Sequence, residues 1–103
     1  MNGVSALQSA PAPDTWTLRL YVAGQTPRSL RAVANTQKIC SDTLRGSYGL
    51  EVIDLYQQPQ LAQDEHIVAV PALVKRVPAP QRMVIGDMSD TERVLVGLDL
   101  LPV

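Results

Sequence analysis

The run from Trp16 to Ala23 constrains the fold more than any other stretch. Leu18, Leu20 and Val22 alternate there with Thr17, Arg19 and Tyr21, and the run ends at Gly24, just before Thr26 and Pro27. A period of two makes a strand with one strongly apolar face. Gly24 admits turn geometries that other residues avoid, Thr26 suits a helix N-cap, and Pro27 suits a first helical position, where its missing N–H costs no hydrogen bond. The chain must therefore run strand, tight turn, helix. "YGLEVIDL", residues 48–55, is β-branched and nearly continuously apolar, which reads as a buried strand. A strand–helix–strand unit of this spacing predicts parallel pairing.

Within the intervening helix, Leu30, Val33, Ala34, Gln37, Ser41 and Leu44 fall along one side, and Gly46 stops it. Arg28, Arg31, Asn35 and Lys38 point elsewhere, and Ile39 falls off the stripe. A short helix is expected over 59–67, with Pro59 at its start and Leu61, Glu65 and Val68 on one side. "IVAVPALVKRV", residues 67–77, reads either as the end of that helix or as a strand with Pro71 at an edge or turn. A proline-rich turn then leads to a strand near 82–86. Ser89 is the expected cap of a last helix, with Asp90 and Glu92 in its first turn and Val94, Leu95, Leu98 and Leu101 on one face. The order is βαβαββα, an α/β arrangement with a mixed four-stranded sheet and a proline opening the third strand, as in the thioredoxin-like fold. Residues 1–15 read as a flexible tail and 16–103 as the folded domain.

Composition narrows the function. With 103 residues, 46% of them apolar and 18% charged, the expectation is a single domain with a modest core. Nine Lys and Arg against ten acidic residues leave no basic footprint for nucleic acid or an anionic membrane. The single cysteine, the lack of an apolar run near ~20 residues, and an N-terminus without a secretory pattern suggest a reducing, cytoplasmic setting.

No catalytic constellation survives inspection. Thioredoxin-type chemistry needs two thiols at the turn after the first strand, where "GQTPRS" stands, so Cys40 is read as a small core residue and disulfide exchange is excluded. Thr26, Arg28 and Ser29, with the backbone beside Pro71, leave a weak case for glutathione-type anion binding. His66 has no second histidine or cysteine near it and reads as an exposed helix-end residue, while Asp64 and Glu65 diverge on a solvated face. Asp54, at the end of a strand beside the turn, reads as a structural acceptor for backbone N–H groups. Neither nucleotide-binding glycine motif is present. No catalytic residue, cofactor or metal site is expected, and the function falls to a surface that binds another protein.

"LRLYVAGQTPRSLRAV", "LEVIDLYQQPQLAQDEHIVAVPALVK", "VIGDMSD" and "ERVLVGLDLL" together resemble the KaiB circadian clock family, across about residues 17–101. The resemblance implies a non-enzymatic adaptor that docks on the N-terminal ATPase ring of a KaiC-type RecA-like hexamer and competes there with a sensor histidine kinase. It further implies a metamorphic chain, with a βαββααβ tetramer exchanging with a thioredoxin-like monomer that binds the ring. By the same resemblance, Glu51, His66 and Lys75 occupy partner-binding positions, and Pro71, Ala79, Gly97 and Asp99 occupy the fold-switching region.

The residues themselves show where ambiguity lies. "VLVGLDL", 94–100, reads as helix by spacing and as strand by composition, and Gly97 costs a helix about 1 kcal/mol relative to alanine, so Gly97→Ala is expected to favour the helix. Glu51 and His66 stand where the family usually has lysines, and Ala79 interrupts its triple proline. A reversed charge at a contact favours a variant ring, or a stand-alone stress or signalling adaptor with another partner. The sequence ends at "LLPV" without the family's acidic tail, which favours the monomer.

Overall fold

The computed structural model describes residues 16–44, 48–67 and 69–100. The expected tail, the Gly46 helix stop, Val68 and Leu101 lie outside the described residues. The elements are β1 (Trp16–Val22), α1 (Pro27–Leu44), β2 (Tyr48–Asp54), α2 (Gln60–Asp64), β3 (Ala72–Val77), β4 (Arg82–Ile85) and α3 (Thr91–Gly97). This is the expected βαβαββα order. The sheet runs β2-β1-β3-β4, with β1 parallel to β2 and antiparallel to β3, and β3 antiparallel to β4.

Because β1 is central, its alternation serves two layers. Leu18, Leu20 and Val22 pack with Leu73, Val84, α1 and α3 in the larger core. Tyr21 faces the other way and joins Ile53 and Val74, with Leu61 of α2 and Ile67 against them. Glycine is required at the β1–α1 turn on two counts: Gly24 has φ +69, and a Cβ there would meet the Tyr56 ring at 2.9 Å. Asp54 ties the turn to the end of β2, accepting from the Gly24 N–H at 3.0 Å and the Tyr56 N–H at 2.9 Å, the structural role expected of it. Thr26 caps α1 by accepting from the Ser29 N–H at 3.1 Å.

Three expectations are corrected. The buried line of α1 is Ser29, Ala32, Thr36, Ile39, Cys40 and Leu44, whereas Leu30 is 54% exposed and Ala34, Gln37 and Ser41 face solvent. A helix lying close on a sheet needs small side chains along its contact line, and a search for large apolar residues passes over them. β2 is an edge strand, with Ile53 buried but Glu51 and Val52 exposed, because nothing in the sheet lies beyond it. The last helix is capped by Asp90, which accepts from the Arg93 N–H at 3.1 Å, and not by Ser89.

Two helices end in the same way. After α2, His66 takes φ 56, its N–H reaches the Gln63 carbonyl, and the Ile67 N–H reaches Ala62 at 2.7 Å. After α3, Asp99 takes φ 59, its N–H reaches Val96, and the Leu100 N–H reaches Leu95 at 2.8 Å. Both are Schellman caps, with a non-glycine residue at the left-handed position that glycine normally fills.

Ile39→Ala is expected to destabilise by about 2–5 kcal/mol and Leu30→Ala by under about 1 kcal/mol in urea unfolding, which tests the observed stripe of α1. His66→Gly should stabilise by roughly 0.5–1 kcal/mol in the same assay, relief of the left-handed strain exceeding the added entropy of the unfolded chain. Burial pushes the Cys40 thiol from an ordinary 9.0 up to about 11. The unfolded chain loses that proton first, so the neutral thiol's stabilisation is complete below pH 9.0 and lost as pH rises to about 11, a span worth roughly 2–3 kcal/mol. Unfolding curves of wild type and Cys40→Ala across that interval should differ by this loss.

Candidate partner-binding face

Side-chain alternation sorts the candidate residues onto two sides of the sheet. Arg19 of β1 lies beside Glu51 of β2 in the parallel register, and their side chains meet at 3.1 Å, Nε to Oε1. The same guanidinium donates through Nη1 to the Tyr21 hydroxyl at 3.2 Å and lies 3.8 Å from Glu65 Oε1. Arg76 of β3 closes the group through Nη1 on that Glu65 oxygen. Two cations and two carboxylates thus cancel on the sheet face that α2 covers.

Burial differs sharply within the group. Glu51 keeps 60% of its side chain exposed, so its pair with Arg19 contributes about 0–1 kcal/mol. Glu65 keeps only 10%, which corrects the expectation of a solvated face. A carboxylate this enclosed depends on its partners, and removing one costs far more than the pair contributes when intact. Burial also pushes the Tyr21 phenol above its ordinary value, leaving the hydroxyl neutral, and the hydrogen bond with Tyr21 raises Arg19 in turn. His66 follows Glu65 directly, at the end of the helix that covers the face carrying Glu51, and is exposed.

Lys75 does not join them. It is paired with Leu18 and Arg82 in the sheet register and therefore points to the opposite side, where it is 2% exposed with Nζ 5.4 Å from the centre of the Trp16 ring. Resemblance placed Lys75 with the other two, and the alternation of β3 separates it from them.

The switching candidates cluster around β3, β4 and α3. Pro71 is buried at the entrance to β3, and its carbonyl accepts from the Gly86 N–H at 2.8 Å. Ala79 is exposed in the loop before β4. Asp99 pairs with Arg82 at 3.3 Å, across the gap between β4 and the end of α3. Gly97 is the last residue of α3, and a Cβ there would lie 2.7 Å from Val84 Cγ2. Alanine's helix preference is therefore opposed by displacement of a buried valine, which corrects the expectation that Gly97→Ala simply favours the helix.

The anion-binding reading finds little support. The Ser29 N–H is taken by Thr26 Oγ1 and the Leu30 N–H by the Thr26 carbonyl at 2.9 Å. A cleft of about 240 Å³ beside Arg28 and Arg93 also contains Asp87 and Asp90. Hydrogen bonds from Ser89, with a smaller contribution from Arg31, hold the Asp87 carboxyl below its usual range, so it is ionised there. Among the described residues no group of three or more His, Cys, Asp or Glu is placed to hold a metal. Sequence reasoning missed an apolar groove of about 260 Å³ beside the β2 edge, lined by Val22, Leu30, Val33 and Val52. Its signal was present in Leu30 and Val52, both assigned to buried positions.

A family model described as the KaiB domain matches residues 19–100. The chain is 51% identical over 90 residues to a "Circadian clock oscillator protein KaiB" of Prochlorococcus marinus (strain MIT 9312), covering 87% of this chain and 86% of that protein. It is 49% identical over 92 residues to the protein of the same description in Trichodesmium erythraeum (strain IMS101), covering 89% and 88%. Among solved structures, the N-terminal domain of Synechococcus elongatus SasA superposes with a TM-score of 0.64 at 27% identity, over 80% of this chain and 84% of that one. Mitochondrial thioredoxin 3 of Saccharomyces cerevisiae, with a TM-score of 0.67 at 12% identity over 95% and 90%, shares the fold alone. With a family match spanning all four strands and relatives near half identical over most of their length, the chain belongs to the KaiB family of circadian clock proteins.

Proposed function

We propose that this chain is a non-enzymatic, cytoplasmic adaptor that docks on the N-terminal ATPase ring of a KaiC-type hexamer through the face carrying Glu51 and His66. The observation that supports this reading most is that face itself: an exposed carboxylate on the sheet face that α2 covers and an exposed imidazole at the end of α2, on a fold shared with the SasA N-terminal domain at 27% identity. Two proteins of one fold presenting equivalent faces would compete for one ring, so a sensor histidine kinase with such a domain is the natural rival. The docking form is the thioredoxin-like monomer, and a βαββααβ tetramer is its resting alternative. Lys75 is left out of the docking surface because it is buried.

Glu51 favours a second reading, in which the same face serves a stand-alone stress or signalling adaptor. The charge at position 51 separates the two. Against an acidic ring surface, Glu51→Lys should raise the association rate several-fold at low salt, with the gain fading as salt screens it. Fluorescence titration and stopped-flow mixing with an isolated N-terminal ring measure both. Binding by neither the wild type nor the Glu51→Lys variant would remove the ring reading and leave the second.

A further inference from the structure

We propose that Glu65 is the positioning residue that holds α2 and His66 against the sheet, and that Glu51 sets the strength of this hold through Arg19. The functional side of the proposal rests on the docking reading above, whereas the anchoring itself can be read in the free protein.

The case starts from how little else secures α2. The helix is five residues long, buries none of them, and has Pro59 at its N-cap with no side-chain hydrogen bond. A helix this short has no stability of its own, and tertiary contacts must hold it. Of the described residues of α2 and its C-terminal cap, Leu61 and Ile67 reach the smaller core, where the flanking Leu55 and Val70 also pack, and all four are partly buried. Glu65, at the C-cap, is the polar tie: its Oε1 takes Arg76 of β3 and lies 3.8 Å from Arg19 Nη1 of β1. His66 comes next in a left-handed conformation, so its place in space follows that of Glu65.

Glu51 enters through competition for Arg19. The Arg19 Nε meets Glu51 at 3.1 Å while Nη1 stands farther off, at 3.8 Å from Glu65. One guanidinium serves two carboxylates and sits closer to the exposed one. Removing the Glu51 charge frees Arg19 to close on Glu65, and a lysine at 51 adds repulsion that drives it there. An exposed residue on the edge strand thereby governs the order of a helix that it does not touch.

Amide hydrogen exchange on the free, full-length protein tests this. Glu65→Gln is expected to speed exchange of residues 61–67 at least tenfold while leaving β1 and β3 unchanged. Glu51→Lys is expected to slow the same amides several-fold, and to lose that effect in the Glu65→Gln background, since the two act through one network. If Glu65→Gln does not fold, Arg76→Gln replaces it: exchange should rise at 61–67, Arg76→Lys should restore it, and the effect of Glu51→Lys should grow because, among the described residues, Arg19 is then the one cation left beside Glu65. A uniform change across all amides, or a Glu51→Lys effect of equal size in both backgrounds, overturns the proposal. Titration of the same variants with the N-terminal ATPase ring separates the two layers. Affinity of Glu65→Gln and Arg76→Gln that follows α2 protection supports both, the Glu51→Lys affinity being set aside because its charge also acts on the ring directly, whereas altered protection without ring binding leaves the anchor standing and removes the docking reading.

Discussion

The structure depends on β1 being buried on both faces at the centre of the sheet. A strand in that position must carry side chains for two layers, and the alternation from Trp16 to Val22 does so with unlike content. One face is wholly apolar, with Trp16, Leu18, Leu20 and Val22, and takes α1 and α3, and the other carries Arg19 and Tyr21 and, among the described helices, takes α2. This asymmetry governs the remainder. The apolar face supports a continuous core from Leu18 to Leu98, whereas the other holds a small cluster around Tyr21 and then changes to charge.

The second face is thinly covered, and its polar half holds Glu51 and Glu65 with their arginines. Arg19, Arg76, Glu51 and Glu65 neutralise one another, so the face presents little net charge despite its four ionised groups. The enclosed Glu65 depends on its arginines, while the exposed Glu51 can be exchanged at little cost to the fold. Substitution at Glu51 therefore alters the charge of this face without endangering the core.

The αL caps at His66 and Asp99 mark where local conformational preference is weak. Each ends a helix in a conformation that a side chain disfavours, and each sits next to a segment whose composition suits a strand as well as a helix. Local preference is therefore weak on both sides of β3 and β4. Packing supplies the decision here: Val94 and Leu98 are buried against β4, and Ile67 is half-buried against Tyr21 and Val74. A segment held mainly by such contacts can be released when they are exchanged for others of similar energy.

By itself the sequence determined the element order, the β1–α1 turn, the cap at Thr26, the role of Asp54, the strand-opening Pro71 and the place of Cys40 in the core. Each of these rests on a local rule: period two, the conformational freedom of glycine, the geometry of capping, or the preference of a free thiol for burial. Tertiary structure alone decided which side of α1 is buried, that β2 is an edge, that Glu65 is enclosed, and that Lys75 faces away from Glu51. In α1 the deciding factor was distance to the sheet, which favours Ser29, Ala32 and Thr36 over Leu30. For β2 it was strand order, and for Glu65 and Lys75 it was the register that brings Arg19 and Arg76 to one and Trp16 to the other. These are relations between residues far apart in the chain, and no local pattern carries them.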